Sequence, residues 1–151
     1  MMDYVFWGWE EKVKELRGTF CKNQRPTIKE YYDGPLGEGY EGYEIAKEMA
    51  RANTLQERME VLYKRRGTVF AFLNLKAIVW NLPDIFECSF MDFDRADTLA
   101  EFTYDIFRNR MCADKLTQIR FVLTKRQFTL CLEMTRYFDP YLMISTTYWP
   151  E

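Results

Sequence analysis

Residues 119–135 read IRFVLTKRQFTLCLEMT, and the period of their apolar side chains decides which fold to expect. On an extended chain Ile119, Phe121 and Leu123 fall on one side, and Arg120, Val122 and Thr124 on the other. Beyond Lys125-Arg126-Gln127, the residues Phe128, Leu130, Leu132 and Met134 alternate with Thr129, Cys131, Glu133 and Thr135. A period of two marks strands with one buried face. The stretch is therefore expected to form two strands joined by a turn at Lys125-Arg126-Gln127. Asp139-Pro140 supplies another turn, and Tyr141 to Trp149 a closing strand, which completes an antiparallel meander.

Upstream the period lengthens. Trp9, Val13, Leu16 and Phe20 recur at helical spacing, with Asp3 as a cap and Gly18 as a stop. Ile45, Met49, Ala52, Leu55, Met59 and Leu62 form a second apolar stripe over residues 43–65. Inside it Thr54 and Glu57 make a capping-box pattern, so a bend is expected near Asn53. Lys64, Arg65 and Arg66 suit the helix C-terminus, and Gly67 ends it. Strands are expected near 68–73 and 76–81, with one helix across 69–81 as the alternative reading of the same apolar run. Asn81-Leu82-Pro83-Asp84 reads as a turn. Phe86, Cys88 and Phe90 alternate with Glu87, Ser89 and Met91 as a third strand, and a helix over about 97–110 starts at Asp94 or Asp97. Leu99, Phe102, Ile106 and Phe107 make its buried face.

This order predicts a single α+β domain over residues 1–151. N-terminal helices would pack on a mostly antiparallel sheet of about five or six strands, ending in a three-stranded meander. A curved cystatin or NTF2-like sheet, or a ferredoxin-like one, has such an order of elements.

Composition supplies a core. Twelve Phe, ten Tyr and four Trp can each bury roughly 150–250 Å². Cys21, Cys88, Cys112 and Cys131 are scattered, with no C-x-x-C, and are expected as reduced thiols. Met1-Met2-Asp3 opens no basic region followed by an apolar stretch, so no signal peptide is expected. The apolar run from Val69 to Leu82 is interrupted by Asn74, Lys76 and Asn81, so no membrane span is expected, and the expected setting is the cytoplasm. The chain has no histidine, so the usual activating base for a Ser, Thr or Cys nucleophile is missing. No cofactor is expected.

Four motifs bear on function. Gly37-Glu38-Gly39-Tyr40-Glu41-Gly42 matches G-x-G-x-x-G, but Ile28 to Asp33 upstream is no buried strand and two glutamates would repel phosphate. Residues 84–105 hold seven acidic side chains against Arg95 alone, a formal −6. Within them Asp92, Asp94, Asp97, Glu101 and Asp105 suggest Mg²⁺ or Mn²⁺ and a carboxylate-metal enzyme. The string from Asp92 resembles the D-x-D-x-T element of phosphoaspartyl phosphatases, with Thr98 two positions late. Residues 106–136 hold seven basic side chains against Asp114 and Glu133, a formal +5. Arg120, Lys125 and Arg126 would share a basic sheet face, with Tyr104, Tyr137 and Tyr148 available for stacking, as an RNA-binding or histidine-free RNA-cleaving domain requires.

The fourth motif favours a protein partner. Tyr4-Val5-Phe6-Trp7-Gly8-Trp9 is too wide for one buried stripe. Tyr4, Trp7, Tyr31, Tyr32 and Tyr40 are the candidate contacts, because half-exposed Tyr and Trp are what protein interfaces use. With a net charge of −2 the leading expectation is a non-enzymatic inhibitor, adaptor or subunit. The segregated charges also suit self-association.

Overall fold

Leu82–Met91 form a helix with all but two of its ten residues buried, and the rest of the molecule is arranged round it. The computed structural model describes residues 6–21, 25–37, 39–108 and 118–142. Among them there are eleven helices and no strand. In chain order these are α1 (Trp9–Gly18), α2 (Ile28–Tyr31), α3 (Glu41–Arg51), α4 (Leu55–Arg65), α5 (Thr68–Phe72), α6 (Leu75–Trp80), α7 (Leu82–Met91), α8 (Asp97–Phe107), α9 (Ile119–Val122), α10 (Lys125–Arg136) and α11 (Asp139–Leu142).

The expected α+β fold is overturned. The strands read at 68–73, 76–81 and 86–91 are α5, α6 and α7, and the two meander strands over 119–135 are α9 and α10. The closing strand begins in α11, and its residues 143–149 lie outside the described residues, as does the Asp3 cap. The reason is clearest in α10. Its buried residues are Gln127, Leu130, Cys131, Met134 and Thr135, a spacing of three and four. Cys131, assigned to the mixed strand face, is fully buried, whereas Leu132 only packs on the rim of the core. The start is fixed by a capping box: Thr124 Oγ1 accepts from Gln127 N at 3.1 Å, and Thr124 N donates to Gln127 Oε1 at 2.9 Å.

For α7 the period was masked by burial, since a helix covered on all sides shows no polar stripe. Pro83 sits in its first turn, where the missing N–H costs nothing. Its neighbours are α1, α4, α6 and α8. At its C-terminal end Phe90 meets Phe6 at 5.1 Å and Phe138 at 5.2 Å between ring centroids, and Trp9 stacks on it at 5.5 Å. Phe6, Phe93, Phe138 and Tyr141 complete this aromatic end of the core.

Two joints share one conformation. α5 passes into α6 through Leu73 and Asn74, and α9 into α10 through Leu123 and Thr124. In both, the leucine is extended and buried and the next residue is an extended helix N-cap. α9 packs against α6. The bend expected near Asn53 is the break between α3 and α4, with Thr54 as the cap of α4. Arg25 closes the C-terminus of α3 by donating to the carbonyls of Met49, Ala50 and Ala52.

Among the described residues no helix is long and apolar enough to cross a membrane.

Candidate functional site: a cleft at the head of the buried helix

Asp84 stands in the first turn of α7 and is only 2% exposed. A lone carboxylate there would be costly to bury, and two arginines from different helices neutralise it. Arg17 of α1 donates from Nη1 to Asp84 Oδ1 at 2.5 Å. Arg58 of α4 donates from Nε to Asp84 Oδ2 at 2.7 Å. Arg17 Nη2 also donates to Glu87 Oε1 at 2.9 Å, one turn along α7. Burial of the Arg17 guanidinium works against its charge, but Asp84 and Glu87 outweigh that and raise its pKa above the ordinary arginine value. The cluster pins three helices to one point.

A cleft of about 440 Å³ opens above this cluster, lined by Arg17, Phe20, Cys21, Arg58, Trp80 and Pro83 beside Asp84. A second, of about 350 Å³, shares Phe20 and Trp80 as walls and continues past Val79, Lys76 and Val122 to Thr124 and Gln127. It therefore runs between α6 and the joint of α9 and α10. Arg58 lies over the Trp80 ring, 5.9 Å from its centroid. The Trp80 indole nitrogen is buried and has no acceptor among the described residues. Both functional groups of Gln127 are used: Oε1 on Thr124 N and Nε2 on Thr19 Oγ1 at 3.1 Å.

The residues singled out from sequence are dispersed. Trp7 is 84% exposed, next to the left-handed Gly8 that starts α1. Tyr31 is fully buried, and burial pushes its phenol up. Tyr32 is half-buried and Tyr40 is 50% exposed. Tyr4 lies outside the described residues, as do Tyr148, Cys112, Arg110, Asp114 and Lys115. Without a sheet, Arg120, Lys125 and Arg126 share no sheet face. They cluster instead on α9 and the first turn of α10, where Arg120 covers the Phe128 ring at 5.3 Å and Arg126 pairs with Glu15 of α1. The acidic stretch is divided: Asp84 is neutralised in the core, Asp92 accepts from Arg95 N, and Asp97 accepts from Thr98 N. Among the described residues no three Cys, Asp or Glu side chains form a metal-binding group.

The glycine motif is explained by packing. Gly37 and Gly39 have φ of 122° and 97°, which a glycine adopts without strain. A Cβ on Gly42 would stand 2.5 Å from Tyr32 Cε2, so this glycine makes room for an aromatic ring. The segment before it is α2 and a loop, not a strand. Burial pushes the Cys88 and Cys131 thiols far up, so neither is a nucleophile at neutral pH.

Asp84, Arg17 and Arg58 were missed as a site because the turn reading of residues 81–84 put Asp84 in water. An acid behind Pro83 at the start of an apolar run was the available signal. No family model, curated protein or solved structure matches this chain.

Proposed function

We propose that the chain is a non-enzymatic protein-binding domain whose frame presents large apolar side chains that the fold does not use. The observation that carries this reading is the pair Trp7 and Phe121, 84% and 87% exposed, on an otherwise well-packed helical core. Full exposure of an indole and a phenyl ring yields no folding energy, whereas burial against a partner would contribute about 1.5–3 kcal/mol for a Phe-sized side chain. Tyr40, Met91 and Leu36 are further exposed apolar groups. Trp7 and Met91 are chain neighbours of Phe6 and Phe90, whose rings touch, which supports one contact surface at the aromatic end of the core. A reducing, cytoplasmic setting belongs to this reading and accords with Cys88 and Cys131 as buried thiols.

The test compares three baits in one quantitative pull-down from the native host: the natural chain, Trp7→Ala and Phe121→Ala. Proteins retained by the natural chain at moderate salt and after nuclease treatment, and lost from either variant, are the expected result. Retention unaffected by both substitutions contradicts it. Retention abolished by nuclease, and falling steeply with salt, would instead favour RNA bound through Arg120, Lys125 and Arg126. A sedimentation coefficient that rises with protein concentration would assign the exposed side chains to a second copy.

A further inference from the structure

We infer that the double cleft around Trp80 is a docking site for a short peptide segment that carries a carboxylate beside a large apolar side chain. The inference rests on the protein-binding reading and adds to it the place and chemistry of the bound segment.

The cleft sets unused donors beside an apolar wall. Among the described residues Asp84 is the only carboxylate lining the cleft; two arginines balance its charge, and its side chain is only 3% exposed, so it presents little to a ligand. Gln127 is likewise spent on Thr124 and Thr19. Arg58 differs. Its Nε is on Asp84, while its two terminal amino groups make no hydrogen bond among the described residues. Its side chain is 15% exposed and lines the cleft against Trp80. A guanidinium anchored by one nitrogen leaves a planar pair of amino groups, the geometry that matches a carboxylate. Asp84 fixes that plane before any ligand arrives, so little side-chain entropy remains to be lost. Beyond Arg17 and Arg58, Lys76 adds a third cation at the far end, where its one ion pair among the described residues is with Glu30 at the surface.

Between these cations the walls are apolar. Phe20, Val79, Trp80, Pro83 and Val122 supply them, and the two clefts share the Phe20–Trp80 wall. Each cleft falls in the size range of small-molecule sites, roughly 300–1,000 Å³. A segment with one carboxylate on Arg58 and an aromatic or aliphatic side chain along Trp80 uses both features. A bare phosphate would leave the apolar wall in water. A basic segment would bring like charge to Arg58 and Lys76.

Two tetrapeptide amides test the inference: acetyl-Leu-Phe-Glu-Glu-amide and acetyl-Leu-Phe-Lys-Lys-amide, titrated by NMR into the full chain. The Trp80 indole resonance is assigned with Trp80→Phe and the Arg58 Nε resonance with Arg58→Lys. The acidic peptide should shift both resonances saturably. It should bind about tenfold or more tighter than the basic one, the discrimination expected of a charge-assisted hydrogen bond. Arg58→Lys keeps a cation but loses the paired amino groups and should weaken the acidic peptide. Because that variant also disturbs Asp84, Lys76→Glu serves as the second variant. It is exposed, leaves the Asp84 cluster intact, and should weaken the acidic peptide severalfold with the spectrum otherwise unchanged. No saturable shift, equal binding of both peptides, or inorganic phosphate displacing the acidic peptide at equal concentration would each overturn the inference. So would the same resonances moving with protein concentration alone, which means a second copy fills the cleft. If these responses fail while Trp7 and Phe121 still retain a partner, the cleft assignment falls and the binding-domain reading stands.

Discussion

Asp84 shows how one buried side chain can organise a fold. Both of its oxygens are engaged by guanidinium groups, and it is buried at the head of the central helix, where its charge also suits the helix dipole. Asp84→Asn keeps the shape but leaves Arg58 without a counter-charge and Arg17 with Glu87 alone. Breaking a buried pair from one side costs about 3–5 kcal/mol, and urea denaturation should show a loss of that size. A loss near zero would mean that water already screens the cluster. Glu48 is the milder case. Burial would raise its carboxyl pKa, but hydrogen bonds from Arg65 and Lys64, each at 2.6 Å, outweigh burial and hold it below the ordinary range. A lowered folded pKa means that stability is present above the ordinary glutamate value of about 4.3 and is lost as pH falls through the folded value. Glu48→Gln should therefore cost about 0.5–1 kcal/mol at pH 7. In thermal melts the difference from the natural chain should shrink towards zero below pH 4.3, about the free glutamate value.

At the scale of elements, caps and close approaches decide more than apolar period does. Thr124→Ala removes the N-cap of α10 and should destabilise the chain by about 1 kcal/mol, with Thr124→Ser recovering most of it. The turn after α4 offers a sharper contrast. Gly67 was expected to end that helix as its flexible residue, yet the positive φ of 54° belongs to Arg66, and Gly67 has an ordinary φ of −61°. Gly67 is needed because a Cβ there would stand 2.8 Å from Phe102 Cε2 and 2.9 Å from Thr98 Cγ2 of α8. Gly67→Ala should thus be destabilising, while Arg66→Gly should be neutral or stabilising, with melting temperatures giving the order. Helices with a dry and a wet face were legible: α1, the break between α3 and α4, and α8. The run over 119–135 was not, because its apolar residues satisfy two periods at once. Leu130 and Met134 fit both a strand and a helix, and only the burial of Cys131 and the Thr124–Gln127 cap separate them. α7 was illegible for another reason, since its polar Asp84 and Ser89 are as buried as its phenylalanines.

At the scale of the whole molecule, one buried helix with its partners replaces the expected layered sheet. Trp7 was legible as a surface aromatic, because the N-terminal cluster held more rings than one stripe can bury. The Asp84 cleft was not, since it joins residues from α1, α4, α6 and α7 that no local pattern connects. Because Trp7 and Phe121 stand outside the core, replacing either by Ala should change stability by no more than about 0.5 kcal/mol, even where it removes a partner. Ion pairs from Lys12 to Glu133 and from Arg108 to Asp139 tie α1 and α8 to the C-terminal helices, so the C-terminal helices should unfold together with the rest. The central position of α7 is the claim on which the cleft, the Asp84 cluster and the outward rings all depend. Amide hydrogen exchange tests it most directly. The amides of Ile85 to Phe90 should be the slowest in the chain and should exchange only through global unfolding, with the free energy measured by denaturant. Exchange of those amides through a cheaper local opening, with the slowest protons in another helix, would contradict the account.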